Sequence, residues 1–329
     1  MTFSQYENRW HTNCVMKTKP DAHVRQIIGR SGIKRSDREP DFNEKAGLVY
    51  MNAIVEHAVV DFSTALEERN PQTADRMPQQ PHITIRGLTK KFAGVPLYEK
   101  FNLDLPKGQV TCVFGPNGCG KSTLINMIAG LIPYDAGDIL FDGKTLKETN
   151  IGYVFQNYRE ALFPWMRAVD NIKYPLRING ASKEECDARI DELVRSFDVK
   201  FDLNRYPYEF SGGQQQLISI MRALAPKPEV IFLDEPFSAL DYEMTLFIRD
   251  KLQEIFSSTD VTMVVVSHDL EEAVYLADQV LLLTKRPTEV ADTVSFTAVR
   301  PRDIDTLSSD AFVQTKARCL DIFQREVRR

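Results

Sequence analysis

The chain has 329 residues, 43% of them hydrophobic and 26% charged, which excludes wholesale disorder and fibrous structure and leaves room for two domains, or one large domain with an appendage. Its 41 Lys+Arg against 46 Asp+Glu give a formal net charge of −5, so no global basic excess argues for a nucleic-acid partner. Five cysteines (Cys14, Cys112, Cys119, Cys186 and Cys319) are odd in number and form no CxxC pair, which favours a reducing compartment over a disulfide framework.

The first 82 residues carry scattered charges of both signs and little sustained periodicity, and they exit through the polar, proline-bearing RNPQTADRMPQQP. They are expected to form a partly disordered N-terminal extension, 1–82. Its start lacks the basic and apolar regions of a secretory signal. The run Gly47 to Leu66 is interrupted by Asn52, Glu56, His57 and Asp61, so it is too polar to span a bilayer and reads as a short packed helix from Leu48 to Leu66. Met51 within it is an alternative translational start. His11, Cys14 and His23 match no common zinc spacing, and solvated polar residues are the better reading. Any membrane association is expected to go through a partner.

From residue 83 strands alternate with helices, which predicts an α/β fold. His82 to Arg86 and Leu97 to Leu105 alternate at period two and read as half-buried strands. Gln109 to Phe114 is a short apolar strand that runs into a glycine-rich loop and a helix from Lys121 to Leu131. Ser182 and Glu185 make a capping box for a helix that ends near Phe197, with Cys186, Ile190, Leu193, Val194 and Phe197 on one stripe. Val230 to Leu233 and Val261 to Ser267 are nearly continuous apolar runs, the mark of buried parallel strands. No internal repeat is present, so whatever the chain carries it carries once.

The loop Gly115-Pro116-Asn117-Gly118-Cys119-Gly120-Lys121-Ser122 fits G-x-x-x-x-G-K-[ST] between the strand and helix that the motif requires. Glycines let backbone N–H groups converge on phosphates, and the helix start adds its positive dipole end. Lys121 is expected to reach the β- and γ-phosphates and Ser122 to ligate Mg²⁺. The strand that ends in Asp234 and Glu235 puts two carboxylates at its C-terminal edge, where they are costly unless they face a cation. Asp234 suits holding the metal, usually through water, and Glu235 suits polarising the attacking water; an N-capping role in the next helix is the structural alternative. Phe210-Ser211-Gly212-Gly213-Gln214 opens a helix read from Gln214 to Leu224, with a serine cap and a glycine pair that form a second anion site. Two phosphate sites with one phosphate loop imply that the second serves a neighbouring subunit.

With these motifs in this order, the chain resembles an ATP-binding cassette (ABC) ATPase subunit over roughly residues 83 to 290. Ser211-Gly212-Gly213-Gln214 resembles the family signature and Ser238-Ala239-Leu240-Asp241 its D-loop. Gln156 falls at the Q-loop, His268 at the switch histidine, and Phe92 where an aromatic stacks on adenine. The resemblance implies a P-loop NTPase core with a mostly parallel sheet, an antiparallel β-subdomain and an inserted helical subdomain at about 158–225. The cassette would cover 83–285, with 286–329 as a C-terminal extension made of a strand and a helix around Phe312 to Val327.

The resemblance also implies ATP and Mg²⁺ as cofactors and Glu235, His268, Gln156 and Lys121 as catalytic residues. Phe92, Gly115 to Thr123, Ser211 to Gln214 and Asp241 would contact ATP, and Ser122, Gln156 and Asp234 the metal. Two cassettes would close head to tail, as a pair of identical or paralogous subunits. For His268 the alternative is a core histidine satisfied by backbone.

Phe210 stands where a leucine is usual, and Leu217 where many members carry an arginine. Cys119 reads as a small packing residue more readily than as a redox sensor. Leu162-Phe163-Pro164-Trp165-Met166 offers aromatic and Met anchors for a partner helix, or else packs in the helical core. This segment, Cys119 and Arg300-Pro301-Arg302-Asp303 are most similar to the nitrate, sulfonate and taurine branch of importer ATPases. That branch implies transmembrane permease subunits, a substrate-binding protein reached indirectly, no nucleic acid, and a cytoplasmic position on the inner face of the membrane. A soluble cassette ATPase acting on ribosomes or DNA, or an exporter ATPase, is the competing reading.

Overall fold

A computed structural model describes residues 81–238 and 240–328. The readings placed on His11, Cys14, His23, Met51 and the Leu48 to Leu66 helix lie outside the described residues.

Three strands, β1 (Pro81–Phe92), β2 (Val95–Pro106) and β4 (Ala136–Phe141), form an antiparallel sheet in the order β2-β1-β4. A second sheet has the order β5-β6-β7-β3-β8-β9. It is built from β3 (Val110–Phe114), β5 (Ile151–Val154), β6 (Val230–Asp234), β7 (Thr262–Val266), β8 (Gln279–Leu283) and β9 (Val290–Ser295). Every pairing in it is parallel except that of β8 with β9. The α/β class and the mostly parallel core are therefore as the sequence implied.

The continuous apolar runs have a physical cause in this sheet. Along β3, β6 and β7 successive side chains point to opposite faces, and both faces are covered. Cys112, Ile231, Leu233, Met263 and Val265 enter one core, while Val113, Val230, Phe232, Val264 and Val266 enter the other.

Helix α1 (Lys121–Ile128) stops earlier than the apolar pattern indicates. Gly130 takes φ +70, and the Leu131 N–H bonds back to Asn126 O at 2.8 Å, so the chain turns out of the helix through a left-handed residue. Four helices follow β5: α2 (Tyr158–Ala161), α3 (Ala168–Ile178), α4 (Lys183–Ser196) and α5 (Gly212–Leu224). The Ser182/Glu185 capping box forms in full, and Cys186, Ile190, Leu193 and Phe197 are buried while Val194 is only partly so. Helix α5 starts two residues before the expected Gln214, because Ser211 is its N-cap and Gln214 closes the box.

Beyond β6 come α6 (Tyr242–Ser258) and α7 (Leu270–Leu276). The C-terminal segment holds β9, a short helix α8 (Ile304–Ser308) that the sequence pattern did not reveal, and α9 (Asp310–Arg328). Arg302 is buried and donates to the carbonyls of Val274, Tyr275 and Ala277 at the end of α7, which fixes this segment to the sheet layer. Among the described residues no helix is long and apolar enough to cross a membrane.

Candidate functional site

The register of the parallel sheet gathers the chemistry at one edge. Val113 of β3 and Asp234 of β6 both align with Val266 of β7, so the loops after these three strands leave the sheet side by side. They carry Gly115 to Ser122, Glu235 and His268. β5 pairs with β6 through Val154 and Leu233, which places Gln156 beside them. Ligand sites of open parallel sheets sit at this carboxyl edge.

Within the phosphate loop, Gly118 and Gly120 have φ +75 and +104, conformations that L side chains resist. A Cβ on Gly115 would meet Leu283 O at 3.0 Å and Cys119 Sγ at 3.1 Å, so the loop fits its surroundings without spare volume. Lys121 is buried, and its Nζ donates to Gly115 O at 2.9 Å and lies 3.3 Å from Pro116 O, curling the side chain back over the loop. Cys119 is buried and burial raises its thiol pKa, which favours packing over redox chemistry. Phe92 is about half exposed at the end of β1, with Lys90 Nζ over its ring, 5.1 Å from the centroid.

Asp234 Oδ1 accepts a hydrogen bond from Ser122 Oγ at 2.8 Å. Burial raises the pKa of this carboxyl, and the charge of Glu235 adds to the rise. A buried hydroxyl and carboxylate are hard oxygen donors, so the pair fits the Mg²⁺ that the fold family implies. Among the described residues no group of three or more His, Cys, Asp or Glu is arranged to hold a metal. The raised pKa has a sign. Ionised Asp234 costs the folded protein stability near neutral pH, and that cost is relieved as pH falls through the raised pKa. Asp234→Asn is therefore expected to raise the melting temperature of the nucleotide-free protein, while the further rise produced by MgATP shrinks. Thermal melts with and without MgATP check both parts, and a lowered melting temperature without nucleotide would contradict the burial argument.

Glu235 holds a left-handed φ of +47, fixed by its N–H bonding Val266 O at 2.9 Å. Its Oε2 accepts from Gln156 Nε2 at 2.6 Å and lies 3.4 Å from His268 Nδ1. Neither carboxylate caps the following helix, whose N-cap is Asp241, with Oδ1 accepting the Met244 N–H at 2.9 Å. The side chain of His268 is 56% exposed, which excludes the core-histidine alternative. It sits on a tight turn: Ser267 Oγ donates to Glu272 Oε2 at 3.0 Å and accepts the Asp269 N–H, while Asp269 caps α7. Neither the capping Asp269 nor Glu272 was singled out in the sequence.

The Ser211–Gln214 motif lies elsewhere. Among the described residues no hydrogen bond or ion pair joins it to Gly115–Thr123. Ser211 caps α5, and a Cβ on Gly212 or Gly213 would meet Tyr158 OH at 2.6 Å or Met244 Cγ at 2.4 Å, so a side chain at either position requires one of these neighbours to shift. Phe210 packs edge-on against Phe201 at 5.3 Å, and Leu217 is buried, so the apolar residue replaces any polar contact there. The segment after Gln156 divides: Leu162 is buried, Trp165 is 73% exposed, and Phe163 packs on Trp165 and Tyr174 at 5.5 and 4.9 Å. Phe163 and Tyr174 line a cleft of about 880 Å³ that reaches Gln156 and Asp234.

A family model described as ABC transporter matches residues 98–238. The chain is 34% identical over 266 residues to an uncharacterised ABC transporter ATP-binding protein of Methanocaldococcus jannaschii, covering 79% of this chain and 98% of that one. The chain belongs to the ABC transporter ATP-binding family. The cassette is also 37% identical over 260 residues to the sulfate/thiosulfate import ATP-binding protein CysA of Thermosynechococcus vestitus, covering 74% of this chain and 76% of that one. It is 36% identical over 214 residues to the Fe(3+) ions import ATP-binding protein FbpC of Escherichia coli, covering 64% of this chain and 61% of FbpC. The match to the CysA of Neisseria meningitidis spans 58% of that protein's length. A solved dimeric ATP-binding cassette bound to ADP and Pi, 29% identical, superposes with a TM-score of 0.59 over 66% of this chain and 100% of that one.

Proposed function

We propose that the chain is the ATP-hydrolysing subunit of an importer, in which two cassettes, identical or paralogous, close head to tail beneath separate permease subunits. One observation carries this reading. Lys121, Ser122, Asp234, Glu235, Gln156 and His268 converge at one sheet edge, whereas the Ser211–Gln214 anion site in the same chain makes no bond to the phosphate loop. A second subunit is the natural source of the missing half, and the dimeric cassette to which this chain is similar supports that arrangement.

In this reading the phosphate loop and Lys121 hold the β- and γ-phosphates, Phe92 stacks on adenine, and Ser211 to Gln214 and Asp241 of the other subunit close over the γ-phosphate. Ser122 and Asp234, with Gln156 nearby, would hold Mg²⁺, which supplies charge neutralisation at the phosphate oxygens. Glu235 takes the proton of the attacking water as its oxygen bonds to the γ-phosphorus and ADP leaves. Gln156 holds the carboxylate in place, and His268 donates to the γ-phosphate.

The cassette would comprise 83–285, with helices at about 158–225 as its helical subdomain, 286–329 as an extension of the cassette, and 1–82 as an N-terminal extension. The cleft beside Phe163 and exposed Trp165 would receive a permease helix, and the chain would then lie on the cytoplasmic face of the membrane. The cargo would be a small anion such as nitrate, a sulfonate or taurine, delivered by a substrate-binding protein. The Leu162 to Met166 wording and the sulfate/thiosulfate import named for several relatives support an anion.

The test is uptake. Co-expressed with its own permease and binding protein in vesicles loaded with ATP, the chain is expected to drive accumulation of one such anion, and Trp165→Ala is expected to lower uptake several-fold with ATP binding unchanged. ATP hydrolysis with no permease association would favour the soluble-cassette reading instead.

A further inference from the structure

The outer side of the phosphate loop is gripped by side chains that belong to none of the motifs. Arg286 Nε donates to Gly118 O at 2.7 Å, Thr288 Oγ1 to Cys119 O at 2.5 Å, and Tyr98 OH to Gly120 O at 3.0 Å. Three successive carbonyls of the loop are thus each held by a different side chain. Tyr98 comes from β2, whereas Arg286 and Thr288 come from the turn between β8 and β9. The Thr288 N–H also bonds Leu97 O at 2.8 Å, so the two sources are joined behind the loop. Tyr98 and Thr288 are buried and Arg286 is exposed.

A trans peptide plane carries its C=O and the following N–H in opposite directions. Fixing the carbonyls of Cys119 and Gly120 outward therefore turns the N–H groups of Gly120 and Lys121 to the inner side. The Cys119 N–H is instead spent on Pro116 O at 3.2 Å, which closes the turn. The left-handed Gly118 and Gly120 let the chain alternate as a concave nest requires. Without outside donors, a loop with this much glycine would lose backbone freedom each time it closed on a phosphate. Holding it beforehand avoids that cost.

We propose that Tyr98, Arg286 and Thr288 are positioning residues that pre-order the phosphate loop and set its affinity for a nucleoside triphosphate. The proposal rests on the ATP-binding reading above. It concerns how the loop is held before nucleotide binds, and so it can be tested apart from turnover.

The experiment uses the full chain and the variants Arg286→Ala, Thr288→Val and Thr288→Ser, with MgATP and a fluorescent ATP analogue as probes. Arg286→Ala and Thr288→Val are each expected to weaken MgATP binding roughly three- to tenfold, as the loss of one hydrogen bond implies, with kcat at saturating ATP within about twofold of the parent. In the nucleotide-free protein, hydrogen exchange of peptides spanning 115–124 speeds up in both. Thr288→Ser restores affinity and protection because it keeps the hydroxyl. Parent-like Kd and parent-like exchange in Arg286→Ala and Thr288→Val would overturn the proposal, as would a fall in kcat with Kd unchanged. A parent chain that binds no ATP would overturn the ATP reading instead, and the exchange measurement alone would then decide whether these residues order the loop.

Discussion

Replacing Glu235 by glutamine is expected to slow ATP turnover on the order of a hundredfold or more, the usual contribution of a general base, while MgATP binding stays within about threefold of the parent. A glutamate at φ +47 is strained by an amount on the order of 1–3 kcal/mol, and the fold retains it because the Glu235 N–H is tied to Val266 O. That conformation aims the carboxylate between Gln156 and His268. Glutamine has the same shape and fills the same space, so packing is preserved, but its amide cannot take a proton from water. Single-turnover hydrolysis, measured beside equilibrium binding, separates the two effects. Near-normal turnover in a well-folded Glu235→Gln protein would remove Glu235 from the chemistry.

The second large effect is expected at Lys121. Lys121→Ala should weaken MgATP binding roughly thirtyfold or more, the scale of losing charge-assisted hydrogen bonds to phosphate. Gly115 O and Pro116 O hold the ammonium against the loop, so its charge lies where the phosphates would bind. The alanine variant also leaves those two buried carbonyls short of a donor, so some loss of stability is expected beside the loss of affinity. Titration of the nucleotide against the variant, with a melt to confirm folding, gives the result. Parent-like affinity would mean that the glycine loop and helix start suffice without the lysine.

These two residues were legible in the sequence because their motifs are contiguous and their geometry is local. The Ser182/Glu185 box was legible for the same reason, since both partners lie within one turn of helix. The convergence of Gln156, Glu235 and His268 came through the family resemblance, because no spacing rule joins residues 79 positions apart. Tyr98, Arg286 and Thr288 gave no signal at all. The Arg286 bond spans 168 positions and ends on a backbone carbonyl, which any residue type could provide. The Leu162 to Met166 segment was ambiguous for another reason: its residues lie between helices α2 and α3, where no 3.6-residue period tells a buried Leu162 from an exposed Trp165.

The alternation of β6 between two cores fixes the phase of the strand as well as its position. Val230 and Phe232 point one way, Ile231 and Leu233 the other, and the count carries forward to the direction of Asp234 at the sheet edge. Deleting a single residue from β6 would exchange the two sets between cores and turn the Asp234 side chain to the opposite face, away from Ser122. Evolution can therefore alter the size of the apolar residues in this strand far more freely than their number, and its length behaves as a reading frame for the Asp234 carboxylate.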